Sequence, residues 1–313
     1  MAIPKKINVP KRRKNVKTLL KNNWQLYVLI LPALLYFFVF NYMPMYGVQI
    51  AFKDFRIADG IWGSEWVGLK HFEYFFESYY FERLISNTLL LNLYGLLWSF
   101  PIPIILAILL NRIRNEKAKR FIQTTIYVPY FISPVVLAGM LYIFLSPSNG
   151  IFNVLIEALG QKAIDFMAAP EAFRTIFIGS GIWQGAGYSS ILYIACLAGI
   201  DTSLYEAADI DGASIWQKIW YIDIPSLIPT AMMVLILDCG SLLSSSTTKA
   251  LVLQTPGNVS TSDIIGLYAY KIGLEGAQFS YAAAIDLFVT VVNLILILTV
   301  NKISKKISNV GLF

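Results

Sequence analysis

Six apolar runs, at about 24–48, 85–110, 121–145, 173–200, 227–243 and 281–300, decide what this chain can fold into. A helix crosses ~30 Å of hydrocarbon in roughly 17–25 residues, and all six runs reach that length. With no water in the bilayer core, backbone N–H and C=O groups must pair within the segment, which selects helices. Composition agrees: of 313 residues, 57% are hydrophobic and only 14% charged, outside the range of ordinary soluble domains. The fold class expected is an all-α integral membrane protein with six transmembrane helices.

The formal charge is +6, yet the basic residues flank apolar runs, a pattern that orients a membrane protein and does not point to nucleic acid. Lys5, Lys6, Lys11, Arg12, Arg13, Lys14, Lys17 and Lys21 precede the first run without one acid. Arg112, Arg114, Lys117, Lys119 and Arg120 follow the second, opposed by Glu116, and Lys302, Lys305 and Lys306 follow the sixth. Six spans put both termini on one side, and the positive-inside rule makes that side the cytoplasm. Segments 52–82, 147–172 and 249–280 then lie outside. A secretory or twin-arginine signal competes for the N-terminus, but no small-residue cleavage site follows run 24–48, which reads as a retained span. The organisation expected is a basic tail over 1–23, a first span with an aromatic outer segment over 24–84, a core over 85–301 and a tail over 302–313. Pro101 and Pro103 should kink the second span, and the rings of 66–84 suit the headgroup level.

The connection 201–225 departs from this charge pattern. It faces the cytoplasm yet carries Asp201, Glu206, Asp209, Asp211 and Asp223 against Lys218. Either it meets a protein partner, or Asp209 and Asp211 only solvate a helix end. Ser203 and Glu206 have capping-box spacing, as do Ser214 and Gln217. Asp211-Gly212 should stop the first helix, with Gly212 in the left-handed turn. Trp216, Ile219 and Trp220 share one face of the second helix, and Pro225 closes a helix–turn–helix at the membrane surface.

Glu206-Ala207-Ala208, Asp211-Gly212-Ala213 and Ile222-x-Ile224-Pro225 resemble the EAA loop of permease subunits in binding-protein-dependent ABC importers, with Ile224 where leucine is usual. Val67-Gly68-Leu69, Phe72 and Asn87-Thr88 extend the likeness to sugar-importer permeases. The start of the third span, IYVPYFISPVVLAGM, is similar to the LplB-like permeases for polysaccharides and oligosaccharides. The resemblance implies a type I importer permease (MetI-like), in which Glu206, Ala207, Ala208, Asp211, Gly212, Ala213, Ile222 and Pro225 form the coupling loop. Glu206 then docks, or caps the helix, or does both. Its implied partners are a homologous second permease forming a heterodimer, an ABC ATPase dimer and an extracellular substrate-binding lipoprotein, in the plasma membrane of a bacterium. ATP and magnesium would sit on the ATPase subunits, with no cofactor or metal on this chain.

The fourth span carries Trp183, Gln184, Tyr188 and Ser189 among small residues, suited either to helix packing or to stacking on and bonding to sugars. Asp238, followed by Ser241, is a carboxylate within a span, either a pathway residue or half of a structural pair. No phosphate-binding G-x-x-x-x-G-K-[ST] loop occurs, so ATP hydrolysis is not expected here. His71 is the only histidine, which leaves no histidine triad. Cys196 and Cys239 lack metal or redox spacing. Asp238 with Asp286 as an intramembrane protease pair lacks its flanking motifs, and a non-transporting scaffold does not account for polar groups in several spans.

Overall fold

The structure is a computed structural model that describes residues 23–308 and 311–312. The basic tail therefore lies outside the described residues, Asn23 excepted. The chain divides into two compact units, Met1–Gln49 and Ile50–Phe313. In the first, helix begins at Trp24 and runs through Phe37 into a π-turn at Phe38–Tyr42. Pro44 lies at the start of the turn that follows, where a missing N–H is tolerated.

Four helical stretches are long and apolar enough to cross a membrane: Trp24–Phe52, Phe81–Asn111, Ile215–Cys239 and Phe279–Lys306. Two bent pairs bring the number to six if each counts as one span. In the second span two helical segments meet at Phe100, directly before Pro101, with Phe100 itself in helical geometry, so Phe81–Asn111 forms one stretch. The third run departs from the expectation of one helix over 121–145. Glu116–Phe131 and Pro134–Phe144 meet at 100°. Ile132 and Ser133 are extended, the Ser133 hydroxyl caps the new helix by accepting from Val136 N–H, and Pro134 occupies its first turn. Proline disfavours helical geometry in the residue before it, so the break falls there. The fourth helix spans Pro170–Ala198 and turns by 70° into Thr202–Ile210.

Pro225 does not close a separate unit, contrary to expectation. Helix starting at Ile215 continues through a π-turn at Ile219–Asp223 into Ile224–Cys239, so the second loop helix and the fifth span are one element. The wider π-turn before Pro225 accommodates its ring and missing N–H without a break.

Segment 249–280 is a packed layer, not a polar loop. Its helices Thr247–Leu253, Val259–Ser262 and Ile265–Tyr270 bury Ala250, Leu253, Ile264 and Leu267 against Leu91, Ala138 and Phe173. Polar residues here satisfy backbone. The Asn258 amide donates to Met167 and Leu253 carbonyls, and its oxygen accepts from Thr255 N–H. The Asn87-Thr88 pair meets the same layer. The Asn87 amide donates to Ser260 and Asp263 carbonyls, and the Thr88 hydroxyl accepts from Ile265 N–H. Arg83 bonds the Asp263 carboxylate at 2.6 Å. Segment 52–82 holds a two-stranded antiparallel hairpin pairing Lys53 with Trp66 and Asp54 with Glu65, beside Lys70–Phe76. A separate apolar cluster, Ala107, Ile108, Tyr193, Leu197 and Leu227, gathers helices 2, 4 and 5 at the end where the 201–225 loop emerges.

Candidate functional site

The loop begins with a cap other than the one expected. Asp201, not Ser203, is the N-cap of Thr202–Ile210, and its carboxylate accepts from Ser203 N–H at 3.0 Å. Ser203 lies inside the first turn, so the Ser203–Glu206 pair makes no capping box, and Glu206 is left exposed on the helix. Asp competes strongly for this position. The backbone bond from Ser203 holds the Asp201 carboxyl below its usual range, followed by the Ser203 hydroxyl.

The helix ends at the expected turn. Gly212 has φ +71°, Gly212 N–H donates to Asp209 O and Ala213 N–H to Ala208 O at 2.8 Å, closing the last turn through a left-handed residue. Ser214 and Gln217 form a complete capping box. Lys218 pairs with Asp209 across the turn, locking the two arms together.

What anchors this loop is a carboxylate that pattern-reading grouped with its surface acids. Asp223 is fully buried. It pairs with Arg112 at the end of the second span and accepts a 2.5 Å hydrogen bond from the Tyr205 hydroxyl. The Arg112 guanidinium also lies 5.5 Å from the Tyr205 ring centre. Burial, then the Asp223 contact, pushes the Tyr205 hydroxyl up from its ordinary value, so it stays a donor at neutral pH. Helices 2, 5 and the loop thus share one buried junction. The signal available in sequence was an acid amid apolar residues, IWYIDIPSL, since a buried carboxylate demands a partner.

Away from that junction the loop exposes large apolar side chains: Leu204, Ile210, Ile215, Trp216 and Tyr221 are all more than half exposed. Glu206, Ala207, Asp211 and Gly212 are exposed beside them, while Ala208, Ala213 and Ile222 are half-buried and Pro225 is exposed. Ala207 and Ala208 present little side chain, which lets another surface come close.

The candidate pathway residues separate into different environments. Tyr188, Ser189 and Asp238 line one cavity of about 600 Å³ together with Ser99 and Tyr193. The Tyr193 hydroxyl is buried without a hydrogen-bond partner among the described residues. Tyr188 stacks on Tyr130, ring centres 3.8 Å apart. Trp183 instead lines a largely apolar cavity of about 720 Å³ with Met140 and Phe144. The Gln184 amide donates to Ile132 O at 2.5 Å, bracing the bend in the third run. Ser241 bonds the Asp238 carbonyl, a local helix-end contact. The small residues serve packing at one position: a Cβ on Gly187 would sit 2.0 Å from Ile126 O. Asp238 and Asp286 share no hydrogen bond among the described residues, where no cluster of metal-binding side chains occurs either.

Residues 99–309 match the family described as binding-protein-dependent transport system inner membrane component. The chain belongs to that family. This permease is 41% identical to Protein LplB of Bacillus subtilis, over 94% of this chain and 92% of that one. It is 39% identical to the polygalacturonan/rhamnogalacturonan transport system permease protein YteP of the same organism, over 97% and 95%. A crystal structure of a bacterial ABC transporter involved in import of the acidic polysaccharide alginate contains a chain 38% identical, with a TM-score of 0.86, covering 94% of this permease and all of that chain. The all-α fold is therefore that of an ABC transporter permease.

Proposed function

We infer that this permease is the membrane subunit of an ABC importer for oligosaccharides or polysaccharide fragments, coupled to separate ATPase subunits through the 201–225 loop. The relatives named for polygalacturonan, rhamnogalacturonan and alginate support the substrate class. The observation that carries the coupling role is the loop's geometry. An exposed face of small and apolar side chains stands on a turn fixed by Gly212 and is tied by Asp223 to the second and fifth spans. A push on that face reaches two spans through one buried junction. The reading includes six spans with each bent pair counted once, both termini cytoplasmic, a homologous second permease completing the pathway, a nucleotide-binding ATPase dimer under the loop and an extracellular substrate-binding lipoprotein. The chain itself holds no cofactor, metal or catalytic group in this reading. Tyr188, Ser189 and Asp238 line the route, whereas Trp183, Gln184 and Ser241 shape it from outside that cavity.

Two experiments test this. In the importer reconstituted with its partners, Asp238→Ala is expected to lower uptake about tenfold, the loss of one or two polar contacts, while the subunits still co-purify. Unchanged uptake removes Asp238 from the route, and dissociation makes it structural. For topology, single cysteines introduced into 52–82, 147–160 and the exposed tip at 274–278 should react with an impermeant thiol reagent on intact cells, and one placed at 206–212 should not. The reverse pattern inverts the orientation.

A further inference from the structure

One face of the fourth helix meets two cations that no carboxylate neutralises among the described residues, Arg174 of the helix itself and Lys249 of the Thr247–Leu253 helix packed against it. Arg174 donates through Nη2 to Asn87 Oδ1 at 3.0 Å, and its Nε is buried with no partner. Lys249, 6% exposed, donates to Phe177 O at 2.6 Å and lies 4.7 Å from the Phe177 ring centre, beside Gly181. Positions 174, 177 and 181 share one face of the helix, so Lys249, seated at Phe177 and Gly181, adds its charge to the face that carries Arg174. Unpaired charge in a span is costly, which makes such residues functional by default.

Arg174 opens into a cavity of about 450 Å³ whose other wall is Tyr94 and Trp98 of the second span. Both rings are more than half exposed, and their i, i+4 spacing places them on one face. Glu171 and Thr175 complete the polar side. Glu171 is one turn from Arg174 yet forms no ion pair with it. The arrangement combines a planar guanidinium suited to a carboxylate, two aromatic faces suited to the C–H faces of a sugar ring, and acceptors for its hydroxyls.

We propose that this cavity is a subsite for a uronic acid residue, with Arg174 binding the sugar carboxylate and Trp98 and Tyr94 stacking on the ring. The proposal rests on the importer reading above and narrows its substrate to acidic chains. Lys249, outside the cavity lining but packed on the same helix face at Phe177, adds positive potential to that side.

The test uses the complete importer in proteoliposomes, with trigalacturonate and its carboxyl-reduced, neutral counterpart as probes. R174Q, which keeps an amide for Asn87, should lower the acidic-to-neutral import ratio about tenfold, the effect of losing a charge-assisted bond. W98A should lower import of both probes alike. Equal loss of both probes in R174Q makes Arg174 merely structural and overturns the proposal. Unchanged acidic import overturns it too, and loss of a co-purifying phospholipid in that case identifies a lipid seat. Should R174Q not assemble, W98A decides, since unchanged import of trigalacturonate in that variant also refutes the subsite. A wild type that imports only the neutral probe refutes the uronate assignment and leaves the importer reading standing. Import of neither probe removes both.

Discussion

Asp223→Ala is expected to destabilise the permease by about 3 kcal/mol, the lower end for breaking a buried ion pair, because Arg112 keeps some solvent contact while Asp223 has none. The substitution strands the Arg112 guanidinium, whose Nε already lacks a partner, and removes the acceptor of the Tyr205 hydroxyl. Thermal unfolding of the detergent-purified complex measures the first effect. Replacing both partners by apolar residues, Arg112→Met with Asp223→Leu, should recover most of that stability, since an ion pair exchanged for packed side chains is often neutral. The double variant should nevertheless leave ATP hydrolysis poorly stimulated by the loaded binding protein, because Tyr205 no longer ties the loop to the spans. Restored stimulation in the double variant would reduce the junction to a packing contact. An unchanged melting temperature in Asp223→Ala would remove the ion pair itself.

Gly212→Val acts on the other side of the same device. At φ +71° a residue with a Cβ is strained by roughly 1–2 kcal/mol, more when β-branched. No atom lies within 4 Å of where that Cβ would stand, so the penalty is conformational and not a clash within the chain. The backbone relieves it by leaving the left-handed region. That breaks the Ala213-to-Ala208 bond and separates Asp209 from Lys218. The spans do not depend on this turn, and membrane insertion should be normal. ATPase activity of the reconstituted complex, with and without loaded binding protein, should lose most of its stimulation. Gly212→Asn, which tolerates positive φ better, should keep a larger share. Wild-type stimulation in the valine variant would show that the turn does not transmit motion.

Local features of the loop were legible because they depend on neighbours a few residues apart. The Ser214–Gln217 capping box and the positive φ at Gly212 follow from residue type and spacing. The same reasoning points to Ser203 where the cap is Asp201, since both residue types suit an N-cap and the spacing to Glu206 does not rank them. The apolar runs likewise announced helices, because a chain in hydrocarbon has few other ways to pair its backbone. Hydropathy does not register direction, however. The 100° break at Ile132–Ser133 lies inside one apolar run and is visible only as the residues preceding Pro134.

Tertiary structure decided what the polar residues do. Segment 249–280 looks like an open loop because the polar stretch Gln254–Asp263 holds the turn residues Pro256-Gly257-Asn258, yet its polar side chains bond its own backbone and neighbouring helices while its apolar residues fill two clusters. Asp238 was legible as an acid in a span, but only packing places it with Tyr188 and Ser189 and sends Trp183 elsewhere. Asp223 meets Arg112 across 111 residues of sequence. No local pattern carries a pairing of that range: it arises because the ends of helices 2 and 5 and the loop helix converge, and a carboxylate buried there requires a cation.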